Sequence, residues 1–157
     1  MKYQDYVING TKDAFEAAFK YAKHVQPDKL TWEPCDLGRS VLNICQELAK
    51  CPDHAVELLE KKAMEMSEDS MDEYKKEVAQ WDTVEKCYIA GKARLEKLVS
   101  YINSFPEDKL NDKVWLPFDG GRDFTMMEIM AYPFWNYQYH QGQIAYIETL
   151  YGDKEMP

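Results

Sequence analysis

Four long runs of apolar residues at three-and-four spacing constrain this chain more than any other feature. Phe15, Phe19 and Ala22, with Ala14 and Ala18 beside them, mark one face of a first helix over about Gln4 to His24. Gln26-Pro27-Asp28 stops it, and a loop through Lys29-Leu30-Thr31-Trp32-Glu33-Pro34 closes with Gly38. Ser40 is an N-cap for a second helix whose apolar arc is Val41, Ile44, Cys45 and Leu48. Pro52-Asp53 is expected to interrupt that helix, with Ala55 to Lys62 continuing as a separate segment. The third helix is expected from near Thr83 to about Ser104, on a stripe of Val84, Tyr88, Gly91, Leu95, Leu98 and Ile102, with Pro106 just past its end. The fourth spans about Thr125 to Tyr151, and Pro133 within it predicts a kink or a broken first turn. Helices with one apolar face must cover one another, so the expected fold class is an all-α antiparallel four-helix bundle.

The segments between the helices are short of structure. Lys113 to Phe118 alternates like a strand, and Asp119-Gly120-Gly121 reads as a tight turn, so either a small hairpin or an extended loop precedes the last helix. Glu60 to Gln80 is the most charged stretch; its mixed signs read as a solvated face, with Met64, Met66 and Met71 covering the bundle. At 157 residues, 45% of them hydrophobic, the chain is long enough to bury a core as one domain, 1–157, without a disulfide or metal. Cys35, Cys45, Cys51 and Cys87 form no C-x-x-C pair and read as buried free thiols. The balance of 19 basic against 28 acidic residues gives a net charge of −9, the wrong sign for a general phosphate-backbone binder or an anionic membrane surface. No run approaches the ~20 apolar residues that cross a bilayer, and no signal peptide is visible, so the cytoplasm is the expected location.

One arrangement points to chemistry. At 100° per residue, Ile129, Pro133, Asn136, Ile144, Ile147 and Tyr151 fall on the same stripe of the fourth helix as His140. Asn136 and His140 are thus expected inside the bundle, one turn apart, with Gln143 beside them, and buried polar groups need partners. Glu47 lies at the edge of the second helix's apolar arc, where it meets His140 if that arc faces the fourth helix. The pairing would raise the imidazole pKa and lower that of the carboxylate, and with Asn136 the pair offers a cation site. Boundary partners for Glu47 are Arg39 and Lys50. Tyr137 and Tyr139 read as core or rim aromatics, His24 as a complement to a helix dipole, and His54 as a surface residue.

Over nearly its whole length the chain resembles the DinB/YfiT-like metalloenzyme superfamily of bacterial four-helix proteins. The resemblance rests on Thr31-Trp32-Glu33-Pro34, on Gly38-Arg39-Ser40-Val41, and on the segment from Trp135 through Asn136, His140 and Gly142-Gln143 to Ile144. The family's second helix carries a metal-binding histidine about two turns after the serine, and its last helix carries H-x-x-x-H followed by G-Q. Glu47 stands at the first position, Asn136 and His140 at the next two, and Gly142-Gln143 matches the G-Q. One of three usual histidines is kept. The resemblance therefore implies a degenerate metal site of Glu47, Asn136 and His140, lined by Gln143, that holds a divalent ion only weakly. Members of the superfamily include transferases and isomerases dependent on mycothiol or bacillithiol.

Two functional readings follow. In the first, the interhelical pocket belongs to a metal-assisted or acid–base enzyme, transferase- or hydrolase-like, acting on a small molecule. A metal would acidify bound water or thiol; without one, His140 is the proton carrier, oriented by Glu47 or Asn136. In the second, the chain is a non-catalytic homodimeric binding or stress-response module with a degenerate site. Expected partners are a small-molecule ligand and a second copy of the chain, with no nucleic acid and no membrane.

Overall fold

The computed structural model describes residues 1–63, 67–155 and 157. The helical spacing is realised in α1 (Tyr3–His24), α2 (Val41–Lys61), α4 (Val84–Ser104) and α5 (Met126–Leu150), with a shorter α3 (Glu68–Val78) between α2 and α4. Helix starts follow the capping residues. The Ser40 and Thr83 hydroxyls accept from the amides of Asn43 and Lys86, both at 3.2 Å, and Thr125 forms a reciprocal box with Glu128. Phe15, Phe19, Ile44, Leu48, Leu98, Met130 and Ile144 are fully buried and fill the space between the four long helices. Among the described residues no helix is long and apolar enough to cross a membrane.

The helices run up, down, down, up. The Gln4 amide at the start of α1 donates to the carbonyls of Ile102 and Phe105 at the end of α4, so that pair is antiparallel. The Tyr3 hydroxyl meets the Met127 carbonyl at one end of α1 and α5, and His24 meets Glu148 at the other, so those two are parallel. Early α2 meets late α5 through Glu47 and His140, an antiparallel pair. Gln46, early in α2, donates to Val78 and Trp81 beside the start of α4, while Val56 and Glu60 share a groove with Lys97 and Tyr101, so α2 and α4 are parallel. A parallel pair needs a connection that runs back along the bundle, and α3 lies on it. Glu77 of α3 binds Lys50 of α2 at 2.7 Å and also pairs with Arg94 of α4, which tethers the crossover.

Several local expectations change. Pro52 does not divide α2, which is continuous through it. The lost hydrogen bond is outweighed because Cys51, Pro52 and Ala55 are all buried against neighbouring helices. Pro133 likewise lies within one continuous α5, with Ile129, Met130 and Tyr137 buried around it. The charged stretch is a helix in its own right over 68–78, started by Ser67. Met71 is exposed rather than covering the bundle, and Met64 and Met66 lie outside the described residues. Cys45, Cys51 and Cys87 are buried free thiols as expected, while Cys35 is exposed in the loop. Before α5, β1 (Lys113–Leu116) pairs antiparallel with β2 (Arg122–Thr125), Val114 opposite Phe124. The turn between them places Asp119, Gly120 and Gly121 at φ +53°, +81° and +85°, a left-handed run that explains the paired glycines.

Gly91 marks a close approach of α4 to α1 and α2. A Cβ there would lie 2.9 Å from the Phe15 ring and 3.0 Å from the Ala49 Cα. Gly91→Val is expected to lower the unfolding free energy by about 1–3 kcal/mol through overpacking, read by urea denaturation.

Candidate functional site

α2 and α5 bring the sequence-selected residues together. His140 and Asn136 are each 3% exposed, inside the bundle on the inner face of α5. The His140 Nε2 lies 2.9 Å from Glu47 Oε1, and its Nδ1 lies 2.6 Å from Gln143 Oε1. Both ring nitrogens are thus engaged, one by the Glu47 carboxylate and one by the Gln143 side-chain oxygen. Asn136 Nδ2 donates to the same Glu47 oxygen at 3.3 Å and approaches the Tyr132 hydroxyl at 3.4 Å. Its own Oδ1 is buried and has no hydrogen-bond partner among the described residues. Gln143 Nε2 donates to Tyr139, which the sequence places at the rim and the structure leaves half exposed.

Arg39 closes the network from outside. Its Nη1 donates to Glu47 Oε2 at 2.5 Å while its Nε holds Asn43 Oδ1 at 2.7 Å. Both carboxylate oxygens of Glu47 are therefore taken by donors. Burial alone would push this carboxyl up, but the bond and charge of His140, then Arg39, hold it down at about 2. Lys50, the other boundary partner considered, turns instead to Asp53 and Glu77.

Next to this network a cleft of about 530 Å³ opens between α2, α5 and the hairpin. Leu58, Leu116, Phe118, Phe124, Ile129 and Trp135 give it apolar walls, and Arg122, paired with Glu128 at 2.9 Å, stands among its polar lining. Tyr132 is common to both features: it lines the cleft, and its hydroxyl meets Asn136. Burial pushes that hydroxyl's pKa up, so it stays a phenol. His54 also lines the cleft, which corrects its reading as a surface residue. Burial and then the Lys50 ammonium hold its imidazole below the usual range. Tyr132, not among the residues that spacing singles out, sits one turn before Asn136 and so on the same face of α5. Burial pushes the thiols of Cys45, Cys51 and Cys87 up as well, which leaves them protonated and unreactive.

Four long helices in this order, with a helical crossover and a hairpin before the last helix, give this chain a fold similar to that of DinB-like proteins. A crystal structure of a DinB-like protein from Bacillus subtilis, YjoA, matches 97% of this chain and 95% of its own at 12% identity, with a TM-score of 0.64. The colibactin self-resistance protein ClbS, solved in complex with double-stranded DNA, matches over 93% of this chain and 95% of its own at 14% identity, with a TM-score of 0.66. No family model matches the chain, and none of the curated proteins matches it in sequence. The ClbS complex corrects one expectation. Nucleic acid was excluded on the net charge of −9, yet a protein of this fold is seen on DNA. Net charge is a sum over the chain and says nothing of where charge is concentrated on the surface.

The depressed carboxyl makes the network pH-sensitive. A carboxyl held low in the folded state stabilises the protein above its unfolded value of about 4.5 and loses that contribution as pH falls towards 2. The stability difference between wild type and Glu47→Gln is expected to be about 1–3 kcal/mol near neutrality and to shrink between pH 4.5 and 2. Urea titrations across that range read it.

Proposed function

We propose that the chain binds a small, mostly apolar molecule in the cleft between α2, α5 and the hairpin. The Tyr132 hydroxyl is the polar group that orients the ligand. The reading is carried by one observation: Tyr132 is both a wall of the cleft and a neighbour of the buried network through Asn136. A cleft with apolar walls and a few fixed polar groups is the usual form of a small-molecule site. In this reading His140 is a positioning residue. Both of its nitrogens are engaged inside the network, so it fixes Glu47, Glu47 fixes Asn136, and Asn136 sets the Tyr132 hydroxyl.

The divalent ion implied by the resemblance fits these residues poorly. Glu47, Asn136 and His140 supply one imidazole, one neutral amide and one carboxylate, and the Arg39 guanidinium already neutralises the carboxylate. The unpartnered Asn136 Oδ1 is a weak ligand for zinc, nickel or cobalt. Positive charge that a metal would bring is supplied here by Arg39, and the proposed function therefore runs without a metal at this place.

A thermal-shift panel of small aromatic amides, acids and thiols tests the proposal. A compound that stabilises wild type is expected to bind Tyr132→Phe about 5–10-fold more weakly, the loss of one hydrogen bond, and Glu47→Gln more weakly as well. Equal shifts in all three proteins count against it. A second reading, contact with duplex DNA, is favoured by the ClbS complex. Fluorescence anisotropy with a labelled duplex at two salt concentrations separates the two, because phosphate contacts weaken as salt rises.

A further inference from the structure

A second cluster lies at the opposite end of the bundle from the hairpin, where α1 and α5 both end. Glu148, on the inner face of α5, is 2% exposed. Its Oε1 lies 3.1 Å from His24 Nδ1, and its Oε2 is buried without a hydrogen-bond partner among the described residues. Beyond α5 the chain turns back at Gly152, φ +98°, with the Asp153 amide donating to the Glu148 carbonyl at 3.0 Å. This fold-back brings Asp153 Oδ2 to 3.9 Å from the same His24 nitrogen, while Asp153 Oδ1 is fixed by the Glu155 amide at 3.0 Å. Glu155 in turn places a carboxylate oxygen 3.4 Å from His24 Nε2.

The geometry points to a divalent-cation site in which His24 Nδ1, Glu148 and Asp153 are the ligands and Glu155 orients the imidazole through Nε2–H. Ligand atoms of the three residues lie within 4.8 Å of one another. Two ligands on a tetrahedral zinc at about 2.1 Å stand roughly 3.4 Å apart, between the 3.1 and 3.9 Å separations found on His24 Nδ1. The ion replaces the Nδ1 proton, and a carboxylate on the far nitrogen is the usual outer partner of a metal-bound histidine. Three carboxylates face one imidazole, and among the described residues no lysine or arginine pairs with Glu148, Asp153 or Glu155, so the cluster carries net negative charge even with His24 protonated. A cation also satisfies Glu148 Oε2, whose burial without a partner is otherwise costly. This donor set differs from that of Glu47, where Arg39 occupies the cationic place. One imidazole with two carboxylates suits a first-row divalent ion with water completing the shell.

Isothermal titration of untagged, chelator-stripped protein with ZnCl2, checked by native mass spectrometry, tests the site. One equivalent is expected to bind wild type and His140→Ala alike, and at least tenfold more weakly to Glu148→Gln and to Asp153→Asn. Asp153 lies outside the helices, so its substitution leaves the bundle core intact and keeps the comparison meaningful if Glu148→Gln folds poorly. Absence of stoichiometric zinc on wild type, or zinc that binds Asp153→Asn as tightly as wild type, overturns the assignment.

Discussion

A carboxylate at the edge of a helical core is stabilised when donors meet both of its oxygens, and Glu47 is met in this way. Arg39 covers one oxygen from the solvent side, while His140 and Asn136 hold the other from within. Removing any of these leaves a half-buried charge with fewer partners, which costs more than the bond itself is worth. The interior polar stripe of α5 exists because α2 delivers this one acceptor opposite it. Without Glu47, His140 would keep only Gln143 as a polar partner and Asn136 only the Tyr132 hydroxyl.

The direction of the helices decides where that acceptor arrives. α2 and α5 are antiparallel neighbours, so the early part of α2 faces the late part of α5, and the later part of α2 faces the hairpin end. The polar network and the apolar cleft consequently occupy successive levels of the same helix–helix seam, with Tyr132 between them. The hairpin closes the lower level, where its Leu116 and Phe124 complete walls that two helices alone would leave open.

Much of this was readable from residue spacing. Period 3.6 marks the four long helices, and the same arithmetic puts Asn136, His140 and Gln143 together on α5; that Glu47 meets them follows from α2 turning its arc towards α5, which spacing leaves open. The failures share a cause, which is that local rules do not see tertiary packing. Pro52 reads as a break until its buried neighbours are known, and His54 reads as surface until α3 and the cleft are in place. α3 itself was hidden because its stability comes from Ser67 at its start and Glu77 pairing across two other helices, not from an apolar stripe. The contact of Tyr132 with Asn136 depends on which neighbour shares its face, and a chain-wide charge sum is no ground for excluding nucleic acid when a protein of this fold is seen on DNA.

The pairing of the first long helix with the last has a consequence for how the protein is made. α1 packs along α5, and Glu47 lies 93 positions ahead of His140, so neither the inner seam nor the polar network can close before α5 has been made. Until α5 emerges, α4 covers Phe15 and Phe19, through Gly91 and the Tyr88 ring. The α1–α5 seam and the polar network thus rest on contacts between residues far apart in the chain, the kind whose loop-closure cost makes them slow to form.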